Sequence, residues 1–174
     1  MAPLVVLVAV SVSLFVAGVA GLHGLRSWPV ALGGGLAAMF ILTGVSHFTG
    51  MREDLVRMVP PFMPEPGLLV SVTGALELAG AAGLLLPRTA PWAAGALGAL
   101  LVLMFPANVY AAMEGLNVGG APAMALIPRA LLQLIFLSAT LAVLLHYLRG
   151  TQSGALTDDP AAGPPESPQP SSKR

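Results

Sequence analysis

Five long apolar runs separated by short polar breaks set the pattern of this chain. They cover about residues 3–22, 29–48, 67–86, 92–113 and 123–148. At about 1.5 Å of rise per residue, each is long enough to cross the hydrocarbon core of a bilayer as a helix. The pattern therefore predicts an all-α membrane protein, a bundle of five transmembrane helices. The first run lacks the basic start of a signal peptide and exceeds a typical signal core, so it reads as a retained helix.

The third run holds a single charge, Glu77. It falls about 15 Å from the run's first residue, close to the depth where a carboxylate costs most. Such a residue faces a bundle interior and needs company. The second run offers Thr43, Gly44 and His47 on one face by their spacing. The fourth offers Asn108, just past Pro106, whose missing N–H frees the carbonyl of Val102 for Asn108 to satisfy. The fifth offers a polar stripe of Arg129, Gln133 and Thr140, with Phe136 among them. Alternating crossings place His47, Glu77, Asn108 and Arg129 in the same half of the membrane.

Two readings of this constellation follow. In one, Glu77 and Arg129 form a buried pair that fixes helix register, with His47 the other residue able to face the carboxylate. In the other, His47, Glu77, Asn108, Arg129 and Gln133 surround a polar pocket with walls from Phe40, Phe62, Met104 and Phe105. A quinone or similar lipid-like ligand suits that pocket, a histidine or protonated carboxyl donating to its carbonyl. Gly74, Gly80 and Gly83, flanking Glu77, read as points of close helix contact.

The polar breaks sharpen the picture. Residues 49–66 contain four prolines and predict an interfacial helix with Met51, Leu55, Met58 and Val59 on its apolar side, then a stiff elbow. Residues 114–122 read as a Gly-rich loop on the same side. Residues 149–174 turn to Pro, Ser and Gly and predict a disordered tail. Arg26, Arg88, Arg149, Lys173 and Arg174 share one side, against Arg52, Arg57 and Arg129 on the other. That bias predicts an outside N-terminus and a cytoplasmic C-terminus. Trp28 and Trp92, at helix ends, read as interface anchors.

Composition excludes several functions. A 56% hydrophobic and 9% charged chain with mean hydropathy +0.83 is a membrane protein with no room for a soluble catalytic domain. Zero formal net charge offers no footprint for nucleic acid. The absence of cysteine removes thiolate chemistry and Cys-ligated clusters. His23, His47 and His146 lie on separate segments, so no intrinsic metal site is expected.

The order of short motifs resembles the DoxX-like family of small integral membrane proteins. The resemblance rests on Gly44-Val45-Ser46-His47-Phe48, Val59-Pro60-Pro61-Phe62-Met63-Pro64, Thr73-Gly74-Ala75-Leu76-Glu77-Leu78-Ala79-Gly80, Leu85-Leu86-Pro87 and Phe105-Pro106-Ala107-Asn108. It implies a four-helix core over residues 28–148, preceded by an additional helix and turn (1–27) and followed by the tail (149–174). Some relatives are subunits of a thiosulfate:quinone oxidoreductase, and His47, Glu77 and Asn108 match recurrent polar positions. The expected role is a membrane subunit or anchor of a redox-associated complex in a bacterial inner membrane. Quinone is its expected ligand, and a partner subunit or a soluble donor supplies electrons, because the chain has no cysteine and no flavin or nucleotide motif. The alternatives are a small lipid or metabolite carrier and a purely structural assembly protein.

Overall fold

Prolines mark where the apolar runs begin to coil. A proline sits in the first two positions of α1 (Ala2–Val19), α2 (Trp28–Ser46), α4 (Pro66–Leu84) and α5 (Ala90–Met113). There its fixed φ suits a helix and its missing N–H would have no partner anyway. Pro128 falls in the first turn of α6 (Leu126–Ala155) for the same reason. A short α3 (Arg52–Met58) lies between α2 and α4. The computed structural model describes residues 1–122 and 124–155.

Five of these helices are long and apolar enough to cross a membrane, and the chain is an all-α integral membrane protein. α5 remains one helix across Pro106. α6 runs to Ala155, past the boundary expected at residue 148. The composition turns polar there, but a helix already hydrogen-bonded adds residues cheaply. The remainder of the expected tail, 156–174, lies outside the described residues.

The five long helices alternate in direction, and α2 sits at the centre, packed against α1, α4 and α6. Leu36, Met39 and Phe40 of α2 meet Ala81 of α4, Leu97 of α5 and Val143 of α6 in the buried core. Between helices in lipid there is no water to expel, so close backbone approach provides the packing energy. The glycines around Glu77 have that use. A Cβ on Gly80 would fall 2.6 Å from the Leu97 side chain, and one on Gly83 would fall 2.8 Å from Ala93 Cβ. Trp28 and Trp92 are exposed at the starts of α2 and α5.

At the opposite end of the bundle, α3 forms a cap with the segment joining α5 to α6. That segment, expected as a loop, contains a minimal hairpin pairing Asn117–Val118 with Ala121–Pro122. Its turn residues Gly119 and Gly120 have φ of 64° and 77°, which glycine reaches without steric cost. Met58 is buried under α3, on the apolar side predicted for it. Arg52 ties the cap to the bundle by donating to the carbonyls of His47 and Gly67, each at 3.2 Å. The Gly119 N–H donates to the Asp54 carboxylate at 2.7 Å, joining the hairpin to α3. Asp54→Ala is expected to speed hydrogen exchange at Gly119 while leaving overall stability within about 1 kcal/mol, because the bond is exposed. Peptide-resolved exchange in detergent checks this.

Candidate functional site

Beneath the cap lies a cavity of about 380 Å³. Leu55, Met58, Val59 and Met63 of α3 and the elbow roof it, and Leu69, Val70, Leu100 and Met104 form apolar walls. Leu76 of α4 and Leu103 of α5 also line it while remaining exposed on the bundle's outer surface. The cavity therefore opens sideways between α4 and α5, toward lipid acyl chains. Its polar lining residues are His47, Thr73 and Asn108.

His47 follows the last turn of α2 and is almost fully buried. Its Nδ1 lies 2.8 Å from the Val70 carbonyl, which can only accept, so Nδ1 carries a proton and donates it. Nε2 faces Glu77, 3.8 Å from Oε1, an ion-pair distance too long for a direct hydrogen bond. Thr73 Oγ1 lies 3.3 Å from Nδ1 and donates back to the Leu69 and Val70 carbonyls of its own helix. Nδ1 is thus bonded within the protein, and Nε2 is turned to the carboxyl group of Glu77.

Glu77 sits behind His47, 4% exposed, and does not line the cavity. Its second oxygen is 2.6 Å from Thr43 Oγ1, and Thr43 also lies within hydrogen-bond reach of the Met39 and Phe40 carbonyls. Small residues make this contact between α2 and α4 possible. A Cβ on Gly44 would fall 2.9 Å from Leu78 Cγ, and one on Gly74 would fall 2.5 Å from His47 Cβ.

Arg129 takes a different partner from the one expected. It donates through Nη1 to Asn108 Oδ1 at 2.9 Å, across α6 and α5. The pair expected between Glu77 and Arg129 is replaced by two polar groups, Thr43–Glu77–His47 between α2 and α4 and Asn108–Arg129 between α5 and α6. The antiparallel bundle explains the division, because each polar residue meets the helix packed directly against its own face. Arg129 Nε is buried with no hydrogen-bond partner among the described residues. Asn108 is turned to Arg129 and not to the backbone near Pro106. Gln133 reaches that backbone instead, donating to the Leu101 carbonyl at 2.6 Å. Thr140, further along the predicted stripe, is buried with its hydroxyl donated to the Phe136 carbonyl at 2.7 Å. Gly98 of α5 faces it, so the stripe lies against α5.

Of the expected pocket residues, His47, Asn108 and Met104 line the cavity, while Glu77, Arg129 and Gln133 stand outside its lining. The expected aromatic walls are corrected. Phe40 is in the bundle core, Phe62 is 78% exposed on the elbow, and Phe105 does not line the cavity. Aliphatic side chains of the cap and of α4 and α5 take their place. Thr73 was missed, although its position one turn before Glu77 was a usable signal. Among the described residues no cluster of His, Asp and Glu could hold a metal ion.

The model of a family described as a domain of unknown function (DUF8561) matches residues 36–144. The match takes in α4, α5 and the cavity between them and covers more than half of the chain, which belongs to that family. Nothing matches it among curated proteins or solved structures.

Proposed function

We propose that this DUF8561 member holds a membrane-soluble ligand in the cavity between α4 and α5, with quinone the favoured candidate. The observation that carries this reading is the cavity itself: an apolar space opening toward lipid, with polar residues along its lining. Ligand sites have this make-up, mostly apolar walls with a few placed polar groups that fix orientation. A ligand dissolved in the acyl-chain region can enter without crossing the headgroups.

The wider role we propose is that of a membrane subunit or anchor in a redox-associated complex of a bacterial inner membrane. The resemblance to DoxX-like proteins supports it, and with no cysteine in the chain any thiol chemistry of such a complex falls to a partner. The basic residues favour an outside N-terminus and a cytoplasmic C-terminus. His47 and Glu77 then serve as a buried support beside the ligand.

Purification in mild detergent followed by mass spectrometry of extracted lipids and associated proteins tests this. Wild-type protein is expected to retain a quinone. Ala107→Phe, which fills the cavity from its α5 wall, is expected to reduce that retention at least about tenfold, the effect of losing about 1.4 kcal/mol of binding. Quinone absent from the wild type, or retained equally by the filled variant, would remove the ligand reading.

A further inference from the structure

We propose that Asn108, held by Arg129, is the hydrogen-bond donor this cavity offers, so that its ligand carries an uncharged carbonyl or ether oxygen on an apolar body. The proposal rests on the cavity being a ligand site and names what that site selects.

The polar lining leaves one candidate. His47 gives its Nδ1 proton to Val70 and turns Nε2 to Glu77. The Thr73 hydroxyl is donated to the carbonyls of its own helix. Asn108 remains. An arginine can only donate, so the Asn108 atom that meets Nη1 at 2.9 Å must be the carbonyl oxygen, and this settles which way the amide is turned. No hydrogen bond joins the Nδ2 group, at the other end of the same planar amide, to another of the described residues. A side chain that lines the cavity thus carries two N–H donors that no group of the protein takes up.

Arg129 adds more than orientation. A cation donating to the amide oxygen draws electron density away from the nitrogen and strengthens the N–H groups as donors. It also disfavours a cationic head group nearby. An acceptor oxygen in an otherwise apolar wall is what such a donor recognises, and a site built to donate discriminates against a ligand that lacks the acceptor. Arg129 is therefore a positioning residue, acting on the ligand through Asn108.

Purified full-length protein in lipid nanodiscs, probed with 2-decyl-1,4-benzoquinone and with decylbenzene, tests the assignment. The two probes share ring and tail and differ in the carbonyl oxygens. Wild type is expected to prefer the quinone by about 2- to 10-fold, the effect of one neutral hydrogen bond. Asn108→Leu is expected to abolish that preference, and the decylbenzene binding it retains shows that the variant is folded. The infrared carbonyl band of the bound quinone is expected at lower frequency in wild type than in Asn108→Leu, and at an intermediate position in Arg129→Leu. Equal binding of the probes to wild type, or a preference that survives Asn108→Leu, overturns the donor assignment and leaves the cavity as a ligand site. Failure of both probes to bind wild type overturns both readings. Should Asn108→Leu misfold, an unshifted carbonyl band in wild type overturns the assignment by itself.

Discussion

Gly74→Ala is expected to destabilise the bundle by about 2 kcal/mol, although alanine is the better helix former by about 1 kcal/mol. Propensity and packing predict opposite signs here, so the direction of the change identifies which one governs this position. The added Cβ would fall 2.5 Å from His47 Cβ and 2.9 Å from both His47 Cγ and Phe48 Cε2. The nearest atom is the root of a buried side chain, so it moves only if α2 moves. Overpacking of this kind typically costs about 1–3 kcal/mol, and a clash with two residues falls toward the upper end. Gly50→Ala is the control: a Cβ there meets nothing within 4 Å, and stability is expected to change by less than about 0.5 kcal/mol. Unfolding in mixed micelles by rising dodecyl sulfate fraction measures both. A stabilised Gly74→Ala variant would mean that α2 and α4 are not as close at His47 as described. Displacing His47 also disturbs the cavity wall, so the destabilised variant is expected to lose ligand retention with stability.

The contrast between Gly74 and Glu77 shows what the chain declared in advance. Five apolar runs give five membrane-length helices because length and hydropathy decide crossing before any tertiary contact forms. The cap was legible for the same kind of reason, since prolines and charges cannot continue a helix into lipid. Small residues around Glu77 announced close packing, and the helices do approach there. Depth along the helices was readable too, and His47 and Asn108 share one cavity as their depths required. The azimuth was not readable. Glu77 and Arg129 lie at similar depths, but depth does not say which faces of four helices meet. That depends on how the helices rotate to bring Gly44 and Gly74 into contact, a collective packing result that no single helix encodes. The aromatic walls failed for a related reason. Phe40 was at a suitable depth but pointed to the centre of the bundle, where a large apolar side chain gains the most contacts.

The division of the polar residues into two groups has a direct energetic signature. In a double-mutant cycle, His47→Leu and Glu77→Leu are expected to be non-additive, with a coupling of about 0.5–3 kcal/mol. Removing His47 alone takes away the ring that faces Glu77 Oε1 and leaves the buried carboxyl with Thr43 as its partner, a cost of about 1–3 kcal/mol. Removing both replaces a buried polar contact by apolar groups that pack, which in many proteins is close to neutral. The double variant should therefore be milder than the sum of its parts. Glu77→Leu with Arg129→Leu should instead be additive within about 0.5 kcal/mol, because Arg129 donates to Asn108 on a different helix pair and shares no partner with Glu77. Stability measured in bicelles for the six proteins decides between the arrangements. A Glu77–Arg129 coupling as large as that of Glu77–His47 would restore the register-fixing ion pair and make the two groups one. Additivity at Glu77–His47 would leave the carboxyl supported by Thr43 alone and reduce His47 to a side chain that seals the cavity wall and ties α2 to the Val70 carbonyl.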